Sequence, residues 1–174
     1  MISAYGSGFD ADPTLNHKAF LKYIELNEGT KRHLIAIGGA GSLFADSTHT
    51  TYCYETPEYP DFLREISKNI KLGIDELKKT SNVNWTVVCP SSFFDSEGAL
   101  TGNYEIGTEE QVIFNEAGES RVTYEDLAMA MLDIAEADNY NQKQITVLTK
   151  QKHIKICRIF LKNLHGEVKH CTLK

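Results

Sequence analysis

The feature that most narrows the folds open to this chain is a recurring change of hydrophobic period, in which helical repeats alternate with short continuous apolar runs. "DPTLNHKAFLKYIEL" places Leu15, Ala19, Phe20, Tyr23 and Ile24 on one helical face, with Asp12 as N-cap and Pro13 at the first helical position. "RHLIAIGG" is too brief an apolar run for a helix and reads as a strand buried on both faces. "YPDFLREISKNIKLGIDELKK" spaces Phe62, Leu63, Ile66, Ile70, Ile74 and Leu77 by three and four residues, after a proline suited to a first turn. "VNWTVVCP" is a β-rich run halted by Pro90, and "QVIF" reads as a further short strand. "TYEDLAMAMLDIAEA" opens with a capping-box pattern from Thr123 to Asp126 and carries Leu127, Met131 and Ile134 on one side, and "QITVLT" is the closing strand. Such alternation predicts parallel strands joined by right-handed helical crossovers: an α/β, doubly wound sheet.

The 174 residues, 41% apolar and 24% charged, suit one soluble domain with a single core. No uncharged apolar run reaches the length of a membrane span and no signal-type core follows the first residues, so the expected address is the cytoplasm. Cys53, Cys89, Cys157 and Cys171 lack CxxC spacing and sit mostly among apolar neighbours, which predicts reduced thiols and no metal site. The scattered histidines show no ligand spacing, and His49 alone falls near the glycine-rich turn. The net charge of -6 is unevenly spread. From Lys150 onward there are seven Lys or Arg against one acid, Glu167, a local +6 that leaves -12 on residues 1–149. An acidic body argues against nucleic acid as a partner.

The run "LIAIGGAGSLF" invites comparison with a dinucleotide fingerprint, which needs G-x-G-x-x-G at a strand end opening directly into a helix. It departs from that pattern twice: counting from Gly39, Phe44 stands where the third glycine belongs, and "ADSTHTTYCYETPEY" after it has no helical character. No Gly-Lys-Ser/Thr follows, and "GAGSL" lacks the order of a hydrolase elbow.

"IAIGGAGSLF", "NWTVVCPSSFF", "TGNYEIG" and "NEAGESRVTYEDLAMAMLD", in this order and at this spacing, resemble the NAD(P)H-binding, atypical short-chain dehydrogenase-like proteins, a group with NADH-flavin reductase-like and biliverdin reductase B-like members. The resemblance covers residues 1 to about 149. It implies that "MISAYG" ends the family's fourth strand, that "GGAGSL" follows the fifth, and that the N-terminal half carrying the phosphate-binding loop lies outside this chain. A partial Rossmann-like sheet of this kind would expose one edge and one apolar face, calling for a second copy or another partner to cover them.

The resemblance further implies that Gly38, Gly39, Ala40, Gly41, Ser42, Pro90 and Ser91 approach NAD(P)H, and that Leu43, Phe93 and Phe94 approach a small-molecule substrate, with flavin as one candidate. Read on their own chemistry, the glycines equally suit a tight turn, and Pro90, Ser91, Phe93 and Phe94 equally suit an apolar plug. The Tyr-x-x-x-Lys pair of short-chain dehydrogenases is absent, since Arg64 stands four residues before Lys68, which reads as a solvated helix residue. Neither Tyr52 nor Tyr59 has the spacing, and no catalytic residue is assigned. Hydride transfer to a flavin-like acceptor depends on geometry more than on a tyrosine acid.

Residues 150–174 extend beyond the resemblance as a basic segment whose helical reading puts Ile156, Cys157, Phe160, Leu161 and Leu164 on one stripe, ended by Gly166. Packing on the body, disorder, or binding a partner all remain open for it. Three functions follow: an NAD(P)H-dependent oxidoreductase-like protein impaired in cofactor binding as this chain alone, a non-catalytic remnant or interaction module, and one part of a split protein.

Overall fold

The computed structural model describes residues 1–150. The expectations for the basic extension lie outside the described residues, apart from Lys150 itself.

A five-stranded sheet in the order β1-β2-β3-β7-β5 forms the middle layer. Its strands are β1 (Ile2–Ser3), β2 (His33–Ile37), β3 (Asn84–Pro90), β5 (Tyr104–Gly107) and β7 (Lys143–Thr149). Leu34 and Ala36 pack into one apolar cluster and Ile35 into the other, so β2 is buried on both faces as a central parallel strand must be. Its register with β3 runs from His33 opposite Asn84 to Ile37 opposite Val88. β7 continues the parallel order beside β3, and β5 closes that side antiparallel, Tyr104 opposite Thr149. At the other edge Ile2 and Ser3 pair with Ile35 and Ala36, and no strand flanks the outer side of β1 among the described residues. β4 (Phe93–Asp95) and β6 (Arg121–Thr123) pair separately as a small parallel sheet.

Helices α1 (Thr14–Asn27) and α2 (Asp61–Lys78) cover one face and α3 (Tyr124–Ala137) the other. Phe20, Ile74, Leu77, Trp85 and Val87 fill the first interlayer, while Val88, Leu127, Met131, Ile134, Ile145 and Val147 fill the second. Deleting one such side chain to alanine costs about 2–5 kcal/mol where its surroundings cannot collapse. Gly73 is needed where α1 meets α2, because a Cβ there would stand 2.6 Å from the Phe20 ring.

Local chemistry sets the helix starts. Asp12 accepts the Thr14 amide at 2.9 Å and Pro13 already has helical backbone angles, as its sequence position predicts. Thr123 caps α3, its hydroxyl accepting the Asp126 amide at 3.0 Å. The apolar stripes are less complete than their periodicity suggests: Leu15 and Phe62 are exposed, Phe62 at 67%, where it meets Phe9 edge-on at 5.9 Å.

The strand expected at "QVIF" is corrected by the structure. Gln111 makes only an isolated bridge to Phe44, and Phe114 is exposed. The ladder beside β7 goes instead to Tyr104–Gly107, whose Tyr104 and Ile106 pack against the α3 cluster. Alternating side chains on one pleated face decide that choice.

Candidate ligand groove

The carboxyl ends of parallel strands are where an open α/β sheet leaves room for a ligand, because the chain departs there in opposite directions. Here the segment after β1, the end of β2 and the β4 segment after β3 open onto one groove of about 820 Å³. Tyr5, Gly6, Gly8 and Phe9 form its rim, and Asn16, Phe20 and Tyr23 of α1 with Ile66 and Ile70 of α2 form one wall. Phe94 with Tyr124, Leu127 and Met131 of α3 forms the other.

Each part is held by identifiable bonds. The buried Asn16 amide donates to the Ser7 hydroxyl at 2.8 Å and its oxygen accepts the Ser7 amide at 3.2 Å, fixing the rim to α1. Ser3 donates its hydroxyl to Tyr23 at 2.7 Å. Burial raises the Tyr23 phenol above its ordinary pKa against that bond, which makes it a wall residue and a poor acid. Phe94 lies against Tyr124 with ring centroids 3.8 Å apart. Tyr124 is kept in place by a knot in the same first turn of α3. There the buried Asp126 carboxylate accepts the Thr101 amide at 2.9 Å, the Gly102 amide at 3.0 Å, the Thr101 hydroxyl at 2.8 Å and the Thr149 hydroxyl at 2.7 Å.

The residues singled out from sequence are divided by the structure. Gly38 and Phe94 line the groove. Gly39 and Ala40 are half-buried in the turn beyond it, and Phe93 is 60% exposed. Gly41, Ser42, Leu43, Pro90 and Ser91 are buried away from it. Ser42 donates its hydroxyl to the Gly39 carbonyl at 2.7 Å and Ser91 donates its own to Val147 at 2.6 Å. Gln144 of β7 reaches under the turn, donating to the Ser42 carbonyl at 3.2 Å and to its hydroxyl at 3.1 Å, beside Cys89. Packing also accounts for two of the glycines. A Cβ on Gly38 would stand 2.6 Å from the Cys89 sulfur, and one on Gly41 would stand 2.4 Å from the Ser67 hydroxyl. His49 stacks on Phe44 at 4.7 Å in the neighbouring loop.

The Tyr5–Phe9 rim, Asn16 and Tyr124 were not legible as site residues. "AYGSGF" offers a signal, two glycines between aromatics after a strand, and Gly6 and Gly8 have open space where a Cβ would stand.

Among the described residues the groove lining includes Glu125 and neither Lys nor Arg. All three helices begin with their own acids: Asp12 before α1, Asp61 in the first turn of α2, and Glu125 and Asp126 in that of α3. Of these acids only Asp12 is seen accepting an amide of its own helix start, that of Thr14, while Asp61 pairs with Arg64 and Asp126 holds the Thr101 and Gly102 amides. With neither Lys nor Arg in the lining, the described residues fit the ring end of the dinucleotide implied by the resemblance and not the phosphates. They group no three His, Cys, Asp or Glu side chains that could hold a metal, and no helix among them is long and apolar enough to cross a membrane.

No model of a known protein family matches the chain. A Bacillus subtilis (strain 168) protein of uncharacterised function, YwnB, is 35% identical over 125 residues, which span 72% of this chain and 58% of that relative's length. A solved structure from Streptococcus pneumoniae TIGR4, provisionally named an NADH-flavin reductase, is 34% identical and superposes with a TM-score of 0.80, over 86% of this chain and 70% of its own. A provisionally named epimerase from Bacteroides thetaiotaomicron is 26% identical with a TM-score of 0.69, over 79% of this chain and 62% of its own. The sheet order, the groove at its carboxyl edge and this likeness agree: the chain belongs to the NADH-flavin reductase-like family of Rossmann-like proteins.

Proposed function

We propose that the protein is an NAD(P)H-dependent oxidoreductase-like protein of the flavin reductase kind, impaired in dinucleotide binding as this chain alone. The observation that carries the reading is the aromatic groove at the carboxyl ends of β1, β2 and β3, with Gly6, Gly8 and Gly38 along it. NAD(P)H, when bound, supplies a hydride. This chain's residues supply flat walls, through Phe94 and Tyr124, and exclude water from one side of a ring, through Leu127 and Met131. Burial raises the Tyr23 phenol away from an acid's range, in keeping with chemistry that needs stacking geometry rather than a proton donor.

The test is a titration of the 174-residue chain with NADH and NADPH, followed by nicotinamide fluorescence, with flavin reduction assayed in parallel. Saturable but weak binding, near the millimolar end of the usual range of about 1 μM–1 mM, is expected, with slow turnover. Micromolar affinity would remove the impairment from the proposal. A folded chain with neither binding nor turnover would overturn the oxidoreductase reading in favour of an interaction module or one part of a split protein, which the open edge of β1 favours.

A further inference from the structure

We infer that the groove beside β1 is the docking site of the chain's own basic segment, residues 151–174, which covers the open edge of the sheet. The inference goes beyond the oxidoreductase reading and involves no nucleotide.

The groove is an unfinished interlayer. β1 is the outermost strand on its side among the described residues, yet both helical layers reach the space beside it. Ala19 and Phe20 of α1, from one layer, line the groove with Ile2, and so do Ala128 and Leu132 of α3, from the other. Ile35 donates its amide to the Met1 carbonyl at 2.8 Å, so the backbone groups of Ile2, one residue on, turn to the open side. Ile2, Tyr5, Phe9, Tyr124 and Leu132 all line the groove and each is at least 46% exposed. An apolar surface of this kind beside an unpaired strand edge calls for cover.

The chemistry of the sequence selects the occupant. Residues 151–174 carry six Lys or Arg against one acid, Glu167, whereas residues 1–149 carry -12. The run "IKICRIFL", residues 154–161, interleaves Lys155 and Arg158 with six apolar side chains. Those side chains match the lining, and the cations match Glu125, its charged residue, and Asp10 just after the rim. Tethering keeps the segment at an effective concentration on the order of millimolar, which no free partner matches.

Reach allows it. β7 runs parallel to β3, β2 and β1, so Lys150 leaves the sheet at the same carboxyl end as the groove. From β7 to the open side of β1 is about four strand spacings of ~4.8 Å, or about 19 Å. About six extended residues cross that distance at ~3.3 Å each, and about ten allow a detour, leaving roughly fourteen for the groove. The clefts beside Lys150 are nearer but smaller, at about 530 and 320 Å³, and Phe114, Leu148 and Leu100 are their large apolar side chains.

The experiment uses the whole 174-residue chain without nucleotide. Carbodiimide cross-linking of mixed light and isotope-labelled chains, mapped by mass spectrometry, should join Glu125 or Asp10 to Lys155 or Lys162 within one chain. Cys157 should be alkylated about tenfold more slowly than Cys171, although Lys155 and Arg158 beside it favour the reactive thiolate. Ala128→Arg, at an exposed position on the α3 wall, and Ile156→Asp should each bring Cys157 to the rate of Cys171 while leaving the circular dichroism unchanged.

Cys157 as reactive as Cys171 in the unmutated chain would overturn the inference. So would cross-links from Lys155 and Lys162 to Glu105 or Glu116, which put the segment in the nearer clefts, or cross-links found only between light and labelled chains, which put it on a second copy. Docking in a chain that ignores NADH and NADPH would uphold this inference while removing the nicotinamide reading.

Discussion

Replacing Asp126 tests the knot that ties α3 to β7 and to the loop before β5, and two substitutions separate its parts. In Asp126→Ala, the Thr101 and Gly102 amides lose their acceptor within a site from which Asp126 itself is fully buried. The hydroxyls of Thr101 and Thr149 can turn elsewhere, but the amides cannot, and two part-buried donors left without their acceptor, which water reaches in part, cost about 1–3 kcal/mol together. In Asp126→Asn, the side-chain oxygen keeps both amides and the new NH₂ faces the two hydroxyls, which can rotate to accept it. Only the charge-assisted part is lost, about 1–2 kcal/mol. The assay is urea unfolding of all three proteins at pH 7 and again below pH 4. Burial alone would raise the Asp126 pKa, but the hydrogen bonds from Thr149, Thr101 and Gly102 outweigh it and hold the carboxyl below its ordinary value. Its contribution is therefore complete above the unfolded pKa of about 3.9 and is lost as the pH falls through the lower folded value. Wild type should lose this increment on acidification and Asp126→Asn should not. Equal costs for Asn and Ala at pH 7, or identical acid dependence of wild type and Asp126→Asn, would refute the reasoning.

Other substitutions follow from single contacts. Gly73→Ala, which would favour an isolated helix by about 1 kcal/mol, should destabilise here, since its Cβ meets the Phe20 ring at 2.6 Å; a raised melting temperature would contradict this. Gln144→Leu removes the donor beneath the Ser42 turn and should cost about 1–2 kcal/mol in urea unfolding, the Gln144 oxygen having no partner of its own to lose. Alkylation at pH 8, mapped by mass spectrometry, should leave Cys89 unmodified because it is fully buried. Cys53 should react slowly, its thiol pushed up to about 11 by burial, and labelling of either thiol as fast as in urea would contradict that.

The long periodic helices and the fully apolar strands were legible because burial on one or both faces is written directly into residue spacing: α2, α3, β2, β3 and β7 stand where the pattern puts them. β5 was not, since its four residues carry only two inward side chains, and "QVIF" has the stronger apolar signal yet lies outside the ladder. The three residues each of β4 and β6 are too short for any period to register. In the candidate site, "IAIGGAGSLF" drew attention through its glycines, but Gly38 and Gly41 are explained by the sulfur and hydroxyl they pack against, contacts made by distant residues that no local pattern encodes. The groove's rim was hidden for the opposite reason. A Cβ at Gly6 or Gly8 would meet nothing, and a residue that frames empty space leaves no packing signature in its neighbours.

The place of β7 has a consequence for how the chain is made. It follows every other described strand in sequence yet sits between β3 and β5, whose ladders it completes with Thr86–Pro90 on one side and Tyr104–Gly107 on the other. A nascent chain emerges from its N-terminus at about 5–20 residues per second. Until residues 143–149 arrive, β3 must wait with a bare hydrogen-bonding edge, β5 has no place in the sheet, and α3 lacks the floor that Ile145 and Val147 provide. Such an edge is open to pairing with the wrong strand. The sheet thus grows outward from β2 and β3 and is locked by its last strand, so a ribosome stalled before residue 143 would display a half-built molecule for chaperones to hold.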